Sequence, residues 1–135
     1  PQAVRKSRPI GVWVLTIYAL IVAGILPLFL EIYLLVSGEA AGNEFVTLLS
    51  ILISIGVITS AIGAWRGNDT ARKSLMVFVT LHYILVAISN YLLISSGQVP
   101  EGDQIRTWGR VLRGLLYSGV YIWYFTRDTT REFYN

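Results

Sequence analysis

Hydrophobic side chains in this sequence are gathered into long runs separated by short polar segments. Crossing the hydrocarbon core of a bilayer takes about 20 mostly apolar residues in a helix. Four runs predict spans of this kind, over residues 10–36, 45–65, 74–94 and 108–125. The first run contains Glu31, the second and third contain no charged residue, and the fourth contains Arg110 and Arg113.

The first run follows Arg5, Lys6 and Arg8, much as the apolar part of a signal peptide follows a basic segment. That apolar part is only about 7 to 15 residues long and ends at a small-residue cleavage site. The run here is longer and passes through Pro27 and Glu31. We therefore interpret it as a span, and expect a kink at Pro27, because proline lacks an N–H and clashes with the preceding turn.

The segments between the runs are short and polar, over residues 37–44, 66–73 and 95–107. Short connections place consecutive helices next to each other in antiparallel directions. None of the three is long enough to hold a soluble domain. The sequence therefore predicts one transmembrane domain over residues 1–135, an all-α four-helix antiparallel bundle integral to the membrane.

Charged residues alternate between the two predicted ends of this bundle. One end has most of the basic residues: Arg5, Lys6, Arg8, Arg66, Arg72, Lys73, Arg127 and Arg131. The other end has acidic residues and the remaining arginines: Glu39, Glu44, Glu101, Asp103, Arg106, Arg110 and Arg113. The positive-inside rule then predicts that both termini face the cytoplasm, in the inner membrane, which agrees with an even number of spans.

Composition supports a membrane location and excludes several classes of protein. Of the 135 residues 54% are hydrophobic and only 14% are charged, against roughly 25% charged in soluble domains, so an ordinary soluble enzyme is excluded. Without cysteine, a disulfide scaffold and a Cys-ligated zinc or iron–sulfur site are excluded too. The formal charge of +3 reflects topology, and we expect membrane lipids and other integral membrane subunits as partners, with no nucleic acid.

Polar residues inside the predicted spans are candidates for function, because an ionisable group there costs about 2.5 to 3.5 kcal/mol on insertion scales. Glu31, Asn90, Arg110 and Arg113 fall at similar depth in the outer half of the membrane. We expect Glu31 to pair with Arg113 or Arg110, with Asn90 nearby. Such a cluster could be a proton or ion site, a structural clamp, or arginines that extend to the headgroups.

His82 and Tyr117 are candidate contacts for a ligand or cofactor. His82, near the middle of the third span, could ligate a haem or chlorin together with another chain's histidine, but the single histidine favours a structural hydrogen bond to Thr80, Ser54 or a neighbouring chain. Tyr117 lies too deep for an interfacial belt of aromatic residues. We expect it to donate a hydrogen bond, with a quinone or pigment contact as the alternative, and we predict no cofactor and no metal.

Small residues recur at four-residue spacing, which lets helix backbones approach closely in lipid. The pairs are Ala19 with Ala23, Ser50 with Ser54, Gly56 with Ser60, and Gly114 with Ser118. They predict helix packing, either within the chain or against a partner subunit.

Three segments mark the ends of the predicted helices: residues 8–12 (RPIGV), residues 63–67 (GAWRG) leading to Ala71 and Arg72, and residues 121–127 (YIWYFTR) followed by Phe133. In these the chain resembles a broad group of uncharacterised small four-helix bacterial membrane proteins. Members often start with RPxGV and end with YLFRPxVxxxF, from which Thr126 and Asp128 depart. The resemblance implies a fold and no activity.

No motif of a metalloprotease, a serine hydrolase, a dinucleotide site or a phosphate-binding loop occurs in the sequence, so no catalytic residue is predicted. We therefore expect a non-catalytic accessory subunit of a larger membrane complex, for example a respiratory or photosynthetic electron-transfer complex. The alternative is a small homo-oligomeric transporter, or an ion- or proton-conducting protein, that uses Glu31, Arg113 and His82.

Overall fold

Helices account for nearly all of the described chain. The computed structural model describes residues 8–38, 44–97 and 99–134, and no strand occurs among them. The helices are α1 (Ile10–Ser37), α2 (Glu44–Trp65), α3 (Asp69–Ser95), α4 (Glu101–Thr126) and the short α5 (Asp128–Tyr134). Arg5, Lys6 and Glu39, which entered the charge argument, lie outside the described residues.

Three of these helices, α1, α2 and α3, are long and apolar enough to cross a membrane. The helix α4 has a similar length, but its first half contains two acidic residues and three arginines. The helical class and three candidate spans are thus confirmed, in keeping with a membrane protein. A fourth crossing and the orientation of the termini stay predictions.

The helices α3 and α4 extend beyond the apolar runs because polar residues start them. The side chain of Asn68 caps α3, where its Oδ1 accepts a hydrogen bond from the backbone N–H of Ala71 at 3.0 Å. Asp69 then lies in the first turn, where a negative charge is favourable. Similarly, α4 begins directly after Pro100 with Glu101 in its first turn. The polar ends of these helices can therefore lie at headgroup depth.

The segment Ala19–Ile25 of α1 is a π-helix, in which the backbone N–H of Leu26 donates to the carbonyl of Ile21, five residues earlier. Pro27 follows in the first turn of the α-helical remainder. The wider π-helical turn therefore precedes Pro27, the one residue of α1 that has no backbone N–H to donate.

Glycine brings α2 and α3 together. A Cβ atom added at Gly63 would lie 2.5 Å from Cβ of Ala71, and one added at Gly56 would lie 2.5 Å from the ring of Phe78. Only a residue without a side chain allows these approaches. The helix α2 also packs against α1, and α3 packs against α4. The hydroxyl of Tyr121 in α4 donates to the carbonyl of Leu15 in α1 at 2.8 Å, which closes the bundle.

The start of α1, the end of α2, the start of α3 and the end of α4 meet at one end of the molecule. The guanidinium of Arg8 lies 3.9 Å from the centre of the Trp65 ring, and Arg72 donates a hydrogen bond to the carbonyl of Phe125. The helices are therefore antiparallel in sequence order. We call this the basic end, since Arg8, Arg66, Arg72, Lys73, Arg127 and Arg131 lie there.

The core is concentrated in the half of the bundle nearest the basic end. In the opposite half, no residue of Leu26–Ser37 in α1 and none after Tyr83 in α3 is buried. The residues buried there include Thr47, Ser50, Ser54 and Thr107, which have small hydroxyl side chains, and Ile53. We call this region the open half. The other large buried apolar side chains lie nearer the basic end: Val12, Val57, Leu75, Val79, Tyr83, Tyr121 and Phe125.

Substituting Gly63→Ala should destabilise the bundle by about 1–3 kcal/mol, because the new methyl group forces α2 away from α3. Equilibrium unfolding in mixed micelles measures the change. Gly119→Ala is the matched control, since nothing lies within 4 Å of its added Cβ, and it should be neutral or stabilising by up to about 1 kcal/mol. Equal stability of the two variants would contradict the close contact.

Candidate intramembrane polar site

Glu31 contacts α2 through a serine. It lies half-buried in α1, and its Oε1 accepts a hydrogen bond from Oγ of Ser50 at 3.2 Å. Ser50 is buried, with 8% of its surface exposed. In a low-dielectric setting a hydrogen bond to a carboxylate is stronger than in water, so this contact links α1 to α2 within the open half.

The structure does not assemble the expected cluster of four polar residues. Ion pairs among the described residues join Asp69 to Arg72 and Lys73, and Asp128 to Arg131. Arg110 and Arg113 are exposed on α4 and form no ion pair with Glu31. Asn90 donates instead to the carbonyl of Val86 in its own helix, at 2.8 Å. Glu31 is therefore bound by Ser50 and forms no hydrogen bond or ion pair with Asn90, Arg110 or Arg113.

A signal for the Ser50 contact is present in the sequence. Glu31 lies six residues before Ser37, the last residue of α1, and Ser50 lies six residues after Glu44, the first residue of α2. Antiparallel helices joined by a short connection place two such positions at the same depth. The spacing of Ser50 and Ser54 by itself predicts only helix packing for Ser50.

His82 begins a row of aromatic rings that crosses the bundle. It is buried on α3, with its ring 5.0 Å from that of Tyr83. Tyr83 lies 5.9 Å from Tyr117 on α4, and Tyr117 lies 6.0 Å from Tyr18 on α1. Tyr117 is partly exposed, at 36%. The row therefore joins three helices near the middle of the bundle.

The hydrogen bonds expected for His82 are not formed in the part of the chain that the structure describes. Thr80 donates to the carbonyl of Met76 in its own helix, at 2.7 Å. The buried hydroxyl of Ser54 has no partner among those residues, and no group of three His, Asp or Glu side chains there could hold a metal ion. His82 is thus held by packing against Tyr83.

The small residues lie at contacts between helices of this chain. Ala19, Ala23, Ser60, Gly114 and Ser118 are buried, and Gly56 faces Phe78 as described above. A Cβ at Gly114 would lie 3.1 Å from Cδ1 of Tyr83, so α4 approaches α3 closely at this position. These positions therefore serve packing within the chain.

Sequence reasoning missed the second polar centre, at the basic end, because Arg72 was counted only as a topology signal. Arg72 is 5% exposed and its Nε donates to Oδ1 of Asp69 at 2.8 Å. It also donates to the carbonyl of Phe125 and lies 5.5 Å from the ring of Tyr134. The hydroxyl of Tyr134 donates to the carbonyl of Ala64 at 2.7 Å. The spacing of Asp69 and Arg72 was the available signal, since residues three apart share a helix face.

Comparisons with known proteins add no family to this geometry. No protein-family model, no curated protein and no solved structure matches the chain. The resemblance to small four-helix bacterial membrane proteins stays a prediction. A function must therefore be argued from the residues of this chain.

A double-mutant cycle between Glu31→Ala and Ser50→Ala should give a coupling of about 0.6 kcal/mol, and no more than about 1.7, the range found for hydrogen bonds between membrane helices. The matched cycle between Glu31→Ala and Arg113→Ala should give no coupling, because that pair is not in contact. Unfolding in mixed micelles measures both. Coupling only in the second cycle would refute the observed partnership.

Tyr134→Phe should destabilise the chain by about 1 kcal/mol through loss of the hydrogen bond to Ala64. Burial raises the pKa of Tyr134 above its ordinary value of 10.0, so the folded state disfavours the ionised phenol. The wild type should exceed Tyr134→Phe in free energy of unfolding by the full amount below pH 10.0, and by less as the pH rises above that value. Unfolding midpoints of both proteins across this range measure the decline; an advantage that grows with pH would show that the sign is wrong.

Proposed function

We propose that this chain is a non-catalytic accessory subunit of a larger membrane-protein complex, docked through its open half. The observation that carries the proposal is the uneven packing of the bundle. From Leu26 to Ser37 in α1, and after Tyr83 in α3, no residue is buried within the chain. Two helix faces in the same half thus lack a partner from this chain.

The polar residues of the open half favour a protein neighbour over lipid alone. Among the described residues Glu31 has one hydrogen-bond donor, Ser50, and a carboxylate accepts several. Arg110 and Arg113 are exposed on α4 in the same half. Polar groups in hydrocarbon are costly, and neighbouring helices normally satisfy them. A partner subunit with donors opposite Glu31 and acceptors opposite the arginines would relieve these costs.

The same proposal includes the topology. The helix α4 crosses the membrane as a fourth span, with the basic end in the cytoplasm and both termini on that side of the inner membrane, as the distribution of basic residues supports. A respiratory or photosynthetic electron-transfer complex is one assembly of this kind. Its redox cofactors would then belong to the larger subunits.

Purification of the tagged chain from its native membrane in mild detergent tests the proposal. We expect larger membrane subunits in fixed stoichiometry by mass spectrometry. Glu31→Gln should reduce their recovery about fivefold, the equivalent of ~1 kcal/mol for one interhelical contact. Glu101→Gln, an exposed carboxylate in the first turn of α4, is the control and should leave recovery unchanged.

A second candidate function is transport of protons or ions by a homo-oligomer. It is favoured by one observation, a half-buried carboxylate in a span without an ion-pair partner among the described residues. Purification separates the two functions, since a homo-oligomer without larger subunits would contradict the accessory role. Flux into vesicles that is abolished by Glu31→Gln would then support transport.

A further inference from the structure

An apolar groove opens between α1 and α2 near the basic end. It has a volume of about 300 Å³, at the lower limit for small-molecule sites. Its walls are almost entirely hydrocarbon and aromatic, and are formed chiefly by Trp13, Ile17, Leu20, Ala61, Ile62 and Trp65. It therefore suits an acyl chain.

Two tryptophans fix the depth of this groove in a membrane. The rings of Trp13 and Trp65 meet edge to face at 5.3 Å. Tryptophan prefers the interface between headgroups and hydrocarbon. The groove therefore begins at headgroup level and continues past Ile17 and Leu20 toward the middle of the bilayer.

Two arginines lie at the end of the groove that is marked by Trp13 and Trp65, which we call its mouth. Arg66 forms part of its lining, and Arg8 lies 3.9 Å from the centre of the Trp65 ring and 5.5 Å from that of Trp13. Neither forms an ion pair within the described ranges, where Asp69 serves Arg72 and Lys73. The mouth thus has two positive charges that no carboxylate of the described chain neutralises.

The surroundings of Arg8 add to this positive potential. Its Nε atom and Nε1 of Trp65 are both enclosed, and neither N–H has an acceptor among the described residues. An anion near the guanidinium would offset the field of these unpaired N–H groups. The enclosed Nε also means that a phosphate would approach the terminal nitrogens of Arg8.

We infer that this groove binds one anionic phospholipid from the leaflet at the basic end. Its phosphate lies between Arg8 and Arg66, and an acyl chain lies along Trp13, Ile17 and Leu20. Charge decides the class of lipid, because basic pockets between membrane helices select anionic headgroups. The inference does not rest on the accessory function, since the groove lies at the opposite end of the bundle from the proposed docking region.

Tryptophan fluorescence can report on this groove directly. The chain has four tryptophans, so Trp108→Phe with Trp123→Phe leaves only Trp13 and Trp65 as emitters. This background protein is placed in two kinds of phosphatidylcholine vesicle. One contains a small fraction of phosphatidylglycerol with brominated acyl chains, and the other contains the same fraction of phosphatidylcholine with brominated acyl chains. We expect the brominated phosphatidylglycerol to quench several-fold more effectively.

Matched charge variants then separate a site from a diffuse surface charge. Arg66→Gln should lower the preference for phosphatidylglycerol about fivefold, the effect of ~1 kcal/mol for one basic residue. Arg131→Gln removes the same charge from the same end, outside the groove, and should retain the preference. Arg8→Gln combined with Arg66→Gln should abolish it.

Three outcomes would overturn the inference. Equal quenching by the two brominated lipids would mean that the groove has no preference for an anion. Equal losses in Arg66→Gln and Arg131→Gln would mean that only the overall charge matters. No quenching beyond that of randomly distributed lipid would mean that no lipid is held in the groove, as when a second copy of the chain fills it. The first and third outcomes are measured in the background protein without any arginine substitution, so misfolding of Arg8→Gln cannot obscure them.

Discussion

A buried arginine, Arg72, joins the ends of several helices at the basic end, and the arrangement of the bundle depends on these contacts. Arg72 of α3 donates hydrogen bonds to the carboxylate of Asp69 in its own helix and to the backbone carbonyl of Phe125 near the end of α4. Its guanidinium also contacts the ring of Tyr134 in α5. Tyr134 in turn binds the carbonyl of Ala64 near the end of α2. Helix ends leave backbone carbonyls without partners. The network supplies a donor to the carbonyl of Phe125 and a second donor to that of Ala64, which also accepts from the N–H of Gly67 at 3.1 Å. It thereby specifies which helix ends meet, whatever its net stability.

Within the bundle, several hydroxyl groups need no such network because their own helix satisfies them. Thr16, Thr80, Ser89, Thr107 and Ser118 each donate to the carbonyl four residues earlier. This local bonding lets small hydroxyl residues fill the bundle interior without pairing across it. Glu31 cannot do this, since a carboxylate only accepts, and so it takes its donor from Ser50. The same reasoning makes Glu31 the most informative polar residue of the open half.

The two ends of the bundle suit different partners. At the basic end, cations and tryptophans border an apolar groove, as expected for contact with anionic lipid. In the open half, unburied faces of α1 and α3 accompany exposed arginines of α4. A subunit that docks in the open half would leave the lipid groove accessible. The proposed lipid binding and the proposed assembly thus involve different residues.

Apolar run length and the placement of charge determined the helical class, the approximate helices and their antiparallel order, because bilayer thickness and short connections leave few alternatives. The partner of Glu31, the burial of Arg72 and the row from His82 to Tyr18 were decided only by tertiary structure. Each of these features depends on how far a helix is rotated about its own axis. A sequence segment that is apolar on every face of the helix does not specify this rotation. Glycines such as Gly63 set that rotation through close contact with a neighbouring helix, a contact visible only once both helices are in place.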